Sequence, residues 1–146
     1  MKKIISLIAL LCVVSFAVKA QYFTTIQVRN NTMNPDMYVS FTGNDGSTFP
    51  CVVTNSTSPY GPLVPGITYS YTVGSVTWSP ATAVMGIHGL NFDIIPAMGP
   101  MEVGPIIGLC VCCTPPSPHS YMFVSGRRHT LLTSFPSPGT VLVSIN

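Results

Sequence analysis

The feature that most constrains this chain is an alternation of apolar and polar residues that recurs in short segments. The segment from Ile67 to Val73 is an example, and Met37 to Thr42 and Thr140 to Ile145 show the same pattern. A period of two places successive side chains on opposite faces of a β-strand. Clusters of Gly, Pro, Asn and Ser separate the segments, and none has convincing helical periodicity. The chain is therefore predicted to be all-β.

The number and spacing of these segments predict the architecture. About nine or ten short strands at intervals of about 8–14 residues favour a single-domain antiparallel β-sandwich, with a small β-barrel as the alternative. The nearly continuous apolar run from Ile106 to Thr114 is predicted to be a central strand buried on both faces. Ala83 to Ile87 and Leu90 to Ile95 are predicted to pair across a turn at His88-Gly89. Val76 to Trp78 is predicted to be a further short strand.

The first residues form the pattern of a secretory signal peptide. Lys2 and Lys3 precede an apolar run from Ile4 to Val18, which is too short to span a membrane as a helix. Cleavage is predicted near Ala20, and residues 21–146 are then the β-domain, with no transmembrane segment of their own. The short basic start is typical of a bacterial exported protein. The predicted location is the periplasm, the cell surface or the extracellular medium.

Charge is scarce, and cleavage makes it scarcer. Removing residues 1–20 takes away all three lysines and leaves three arginines against four acidic residues, a net charge of −1. Such a chain cannot form the basic face of a nucleic-acid-binding protein. Lysine-based catalysis is also excluded. Natural sheets often protect their edges with charge, above all with lysine. A strand-rich chain without lysine is therefore predicted to self-associate or to bind a cell-surface component.

Four cysteines remain after cleavage: Cys51, Cys110, Cys112 and Cys113. In an exported protein they predict two disulfides, with three possible pairings. A bond between the neighbours Cys112 and Cys113 would be strained, and on an extended strand Cys110 and Cys112 lie too far apart. The preferred pairing is Cys51–Cys112 with Cys110–Cys113, which requires a turn near the end of the strand.

The same cysteines allow two sharper hypotheses. Cys110, Cys112 and Cys113 with His119 would suit Cu(I) or Zn(II). The C-x-x-C spacing would suit a redox site, although such sites usually open a helix that is not apparent here. Because the spacing is not a standard metal pattern and export favours disulfides, neither a metal nor a cofactor is predicted. A secreted metal or redox protein is kept as a further alternative.

Catalytic patterns are missing from the sequence. It contains no nucleophile-elbow G-x-S-x-G, no P-loop and no dinucleotide-binding G-x-G-x-x-G. Its four acidic residues do not form an obvious pair of the kind that glycosidases use. The protein is therefore predicted not to be an enzyme.

Binding candidates come from the aromatic residues and from one basic spot. Candidate sugar-stacking residues are Trp78, Tyr60, Tyr69, Tyr71 and Tyr121. The sequence leaves open whether the tyrosine face is surface or core. Arg127 and Arg128 at a predicted hairpin tip are candidates for binding an anionic group. The function predicted first is an exported, non-catalytic surface or extracellular binding or structural module that self-associates. A carbohydrate-binding module is the alternative.

Overall fold

The computed structural model describes residues 23–47, 52–104, 107–109, 119–123 and 126–146. These residues form ten β-strands in two sheets and contain no helix, so the all-β prediction is confirmed. None of the described residues belongs to an apolar helix long enough to cross a membrane. The strands are β1 (Thr25–Asn30), β2 (Met37–Asn44), β3 (Asn55–Ser56), β4 (Thr68–Thr72), β5 (Gly86–Ile94), β6 (Glu102–Val103), β7 (Ile107–Gly108), β8 (His119–Met122), β9 (Arg128–Ser137) and β10 (Thr140–Ile145).

The first sheet has the strand order β4-β1-β10-β9-β8. Its pairs are antiparallel, as predicted, with the exception of β1 and β10, which run parallel from Thr25 opposite Thr140 to Asn30 opposite Ile145. A parallel pair needs a long connection, and here almost all of the described chain separates its two strands. Strand spacing along the sequence does not reveal such a pairing.

The second sheet has the order β3-β2-β5-β6, and β7 also pairs with β5. All nine residues of β5 are buried, so this strand holds the central place that was predicted for Ile106 to Thr114. Within that predicted run only β7 lies in a strand among the described residues, and residues 110–118 are outside them.

The predicted turn at His88-Gly89 is wrong, because β5 runs through it without a break. Thr42 of β2 pairs with Gly89 and Gly43 pairs with Ile87, so His88 is an extra residue in the ladder. Such a β-bulge bends a strand without ending it. The predicted strand from Val76 to Trp78 is also absent; these residues form a connection between β4 and β5.

The two sheets share one hydrophobic core. The predicted alternation in β1, β2 and β10 provides much of it, because every second residue of these strands points inward. Its largest fully buried side chains include Phe41, Phe92, Ile26, Met37, Leu63, Ile87, Leu90, Leu131 and Ile145. At one end of the sandwich, loop 31–36 carries the chain from β1 in the first sheet to β2 in the second.

Candidate functional site

The best-defined polar structure in the described residues is centred on Asn30, the last residue of β1. Its side chain is fully buried. Nδ2 donates to the backbone oxygens of Asn34 at 2.9 Å and Leu63 at 2.8 Å. Oδ1 accepts from the backbone nitrogen of Thr32 at 2.9 Å and from its hydroxyl at 2.6 Å. Both donors and both lone pairs of the amide are therefore satisfied.

These bonds join two loops that are far apart in the sequence. The backbone oxygen of Asn30 also accepts from Gly66 N at 2.7 Å, and the Asn34 side chain accepts from Asp36 N at 3.0 Å. Residues 31–36 and 63–67, here called the Asn30 loop pair, are thus held by one buried side chain and its own backbone. Loops fixed in this way on a rigid scaffold are common places for binding sites.

The Asn30 loop pair carries exposed apolar side chains. Met33 is 93% exposed, Val64 51% and Ile67 49%. The second loop is fixed further, because Val64 N donates to Tyr69 Oη at 3.0 Å and Ile67 N donates to Val64 O at 3.2 Å. Exposed apolar side chains on ordered loops are candidates for contact with a partner.

The segment that follows β5 adds to this end of the sandwich. Ile95 N donates to Asp36 O at 3.0 Å, which attaches the segment to loop 31–36. Further along it, Met98 is 95% exposed and Met101 is 47% exposed. Methionine is flexible and polarizable, and binding surfaces that adapt to their partners often use it. Neither these methionines nor the loop pair belonged to the predicted site.

The structure places Trp78 in the core rather than on a surface platform. The side chain is 9% exposed, and its Nε1 donates to Val73 O at 3.0 Å. Its six-membered ring lies against Gly43 of β2, where an added Cβ would come within 2.9 Å of Cζ3. Trp78 therefore fills space between the connection and the second sheet.

The tyrosine face, which the sequence left open, is turned toward the core. The rings of Tyr60 and Tyr71 are 5.6 Å apart, and the Tyr71 ring is 5.0 Å from that of Phe41. The Tyr60 hydroxyl accepts from Thr77 N at 2.6 Å. Burial, with Tyr69 and Tyr60 nearby, raises the pKa of Tyr71 to about 12. These rings support the sheet, and sugar stacking by them stays a prediction.

The remaining candidates lie around the β8–β9 hairpin or outside the described residues. Arg127 and Arg128 are exposed beside the hairpin turn, and anion binding by them stays a prediction. Tyr121 pairs with His129 in the ladder. His119 begins β8. The candidate cysteines are all outside the described residues, so their disulfide and metal roles stay predictions: Cys51, Cys110, Cys112 and Cys113. Within the described ranges, no group of His, Cys, Asp and Glu side chains is arranged to hold a metal ion.

A buried carboxyl group in the second sheet was not among the predicted site residues. Asp93 is 1% exposed and accepts from Ser40 Oγ at 2.8 Å and from Asn91 Nδ2 at 2.9 Å. Burial raises its pKa, while the hydrogen bond from Ser40 acts in the opposite direction. The signal in the sequence was the placement of Asn91 and Asp93 two residues apart on one predicted strand. The cluster connects β2 to β5.

Comparison with known protein families, with curated proteins and with solved structures finds no match. Function is therefore inferred from the contacts, exposure and charge of the chain's own residues.

Proposed function

We propose that the protein is an exported, non-catalytic binding module that acts in the periplasm, at the cell surface or in the extracellular medium, and that it self-associates. The observation that carries the binding role is the Asn30 loop pair, which presents Met33, Val64 and Ile67 to solvent on a fixed backbone. The signal peptide predicted in residues 1–20 supports the location.

Rigidity is what makes the loop pair suitable for binding. A surface that is ordered before it meets its partner loses less conformational freedom on association. The buried amide of Asn30 contacts both loops, and its own two donors and two lone pairs are all satisfied. The three exposed side chains bury apolar area only when a partner covers them. The partner expected is an uncharged, partly apolar surface of a cell-envelope component.

The test measures retention of the purified exported protein on intact cells, and on the isolated envelope fraction, of the bacterium that produces it. The double variant Met33→Ser/Val64→Ser removes two apolar contacts from the loop pair. The matched control, Met85→Ser/Val52→Ser, removes two similarly exposed side chains. Both residues lie at the other end of β2, where Asn44 accepts a hydrogen bond from Met85 N and donates one to Val52 O.

We expect the loop-pair variant to lose retention about tenfold or more, since central interface side chains commonly contribute over 1 kcal/mol each. The control should stay within about twofold of the wild type. Absence of wild-type retention, or equal retention of both variants, would overturn the binding role of the loop pair.

A further inference from the structure

Strand β4 forms one edge of the first sheet and has none of the usual protection of an edge. It pairs with β1 through five residues, without a bulge. The strand Thr68–Thr72 contains no proline and no charged residue. Within the described part of the chain, no strand pairs with its other side. Exposed edge strands in native proteins usually carry lysine, proline or a bulge, which prevents pairing with another chain.

The direction of the backbone groups in β4 follows from its ladder. Val73 N donates to Thr24 O at 3.0 Å, in the pair just beyond Thr25–Thr72. Hydrogen-bonded and non-hydrogen-bonded pairs alternate along an antiparallel ladder. The N–H and C=O groups of Tyr69 and Tyr71 therefore face β1. Those of the three alternate residues, Thr68, Ser70 and Thr72, face away from the sheet.

One of these three residues is already satisfied by a turn. Thr72 N donates to Ser75 Oγ at 2.7 Å, and Thr72 O accepts from Ser75 N at 2.9 Å. Thr68 and Ser70 have no corresponding bond to another described residue. Their side chains are exposed on the outer face of the sheet. The edge thus offers two donors and two acceptors, spaced two residues apart.

The edge of the second sheet at β2 is covered by another segment of the chain. Residues 54–63 run along β2 and bond to it at several points, and this segment includes Pro59 and Pro62. In the first sheet, β8 covers β9 only from Arg128 to Leu131, and the rest of β9 contains Pro136 and a register shift in its ladder with β10. Strand β4 has no proline and no register shift, and no described strand covers its outer side.

We propose that β4 pairs antiparallel with β4 of a second copy of this chain, about a two-fold axis that passes beside Tyr69. Thr68 of each copy then lies opposite Ser70 of the other, and the outward groups of both residues form four backbone hydrogen bonds. The contact is self-complementary, as two-fold symmetry requires. This inference rests on the self-association included in the proposed function and not on the loop pair.

Charge and side-chain chemistry favour a second copy as the occupant. The paired residues are threonine and serine, so no like charges meet. The nearest cation in the ladder is Arg29, the register partner of Thr68 on β1. Three strand spacings, about 14 Å, would separate the β1 strands of the two copies. That distance exceeds the Debye length of about 8 Å at physiological ionic strength, so the arginines repel each other weakly.

The test is sedimentation velocity of the exported protein over a concentration series. The wild type is expected to show a monomer–dimer equilibrium. Thr68→Lys/Ser70→Lys and Thr68→Glu/Ser70→Glu place like charges opposite each other across the axis, which destabilises a cross-strand pair. Each variant alone is expected to be monomeric, and an equimolar mixture of the two should recover the dimer as a mixed species.

The matched control is Ser134→Lys/Ser144→Lys, which places two lysines on the same outer sheet face, on β9 and β10. It should dimerise like the wild type. A wild type that is monomeric throughout would overturn the self-association itself. Dimers that persist in both β4 variants would overturn this interface and leave self-association standing. Monomeric variants that do not recover on mixing would also overturn it, as would a wild type that pairs only with a different chain.

Discussion

Ser40 Oγ donates a 2.8 Å hydrogen bond to Asp93 Oδ2 across the ladder between β2 and β5. Asn91 Nδ2 donates to the other carboxyl oxygen at 2.9 Å. Burial nevertheless dominates and raises the pKa of Asp93 above its ordinary value of 3.8. The carboxyl group therefore favours its protonated form in the folded protein more than in the unfolded chain.

The first prediction concerns the pH dependence of stability at Asp93. An acid whose pKa is raised by folding contributes most to stability below the unfolded pKa, and this contribution is lost as pH rises through the folded pKa. The wild type should therefore lose stability relative to Asp93→Asn as pH rises from about 3 to 7. Urea denaturation of both proteins across this range measures the difference, and a difference that grows in the wild type's favour would contradict it.

Asp45 provides a control of opposite sign. Hydrogen bonds from the Ser47 hydroxyl and backbone nitrogen, at 2.6 and 2.9 Å, lower the pKa of this exposed carboxyl group. Its contribution is present above the unfolded pKa and is lost as pH falls through the folded pKa. Relative to Asp45→Asn, the wild type should gain stability with rising pH. The same trend for both aspartates would mean that the local environment of each carboxyl group does not determine how stability changes with pH.

The second prediction tests the Asn30 frame. Asn30→Ala leaves the carbonyl of Leu63 without its buried donor and removes the acceptor for Thr32, so we expect a loss of about 2–4 kcal/mol in the free energy of unfolding. Asn31→Ala removes one exposed bond to Asn146 and should cost at most about 0.5 kcal/mol. Equal losses measured by urea denaturation would show that Asn30 does not hold the loops.

The third prediction uses two glycines with different surroundings. A Cβ at Gly43 would lie 2.7 Å from Val84 Cγ1 and 2.9 Å from Trp78 Cζ3. Gly43→Ala should therefore cost about 1–3 kcal/mol through overpacking. A Cβ at Gly74 meets nothing within 4 Å, so Gly74→Ala should leave stability unchanged or raise it by up to about 1 kcal/mol. Trp78, the only tryptophan, reports unfolding by fluorescence.

The fourth prediction concerns alkaline pH. Burial raises the pKa of Tyr71 from 10.0 to about 12, so the wild type should lose stability as pH rises between these values. Tyr71→Phe should lose less over the same interval. Ultraviolet absorbance of tyrosinate follows the titration directly. A spectrum in which every tyrosine ionises near its ordinary pKa would contradict the burial effect.

The fifth prediction concerns processing and the cysteines. The exported protein should lack residues 1–20, and its mass should rise by about 4 Da on reduction because two disulfides open. Intact mass spectrometry with and without a reducing agent measures both. Free thiols with a metal that is lost on denaturation would instead support the alternative site of Cys110, Cys112, Cys113 and His119.

Local pattern was enough to locate most strands. The predicted limits of Thr140 to Ile145 match β10, and those of Ile67 to Val73 differ from β4 by one residue at each end. Both strands alternate cleanly because each has one face on the core. The β5 strand was divided in two because His88-Gly89 has the composition of a turn. What continues the strand is pairing with Thr42 and Gly43, more than forty residues earlier in the sequence.

The candidate site was harder to predict for the same reason. Asn30 lies in a stretch that indicates a turn, and its sequence neighbours explain its bonds to Thr32 and Asn34. Its bond to Leu63 spans 33 positions and depends on the packing of the two sheets. Trp78 was a candidate for sugar stacking on a surface, but the fold turns its ring into the core.

The parallel pairing of β1 with β10 also determines how the protein would respond to a pulling force. Tension applied between Phe23 and Asn146 acts at opposite ends of this ladder, from Thr25–Thr140 to Asn30–Ile145. The ladder is then loaded in shear, so its hydrogen bonds share the load instead of opening one after another. A surface protein held at one terminus and pulled at the other would gain mechanical resistance from this arrangement.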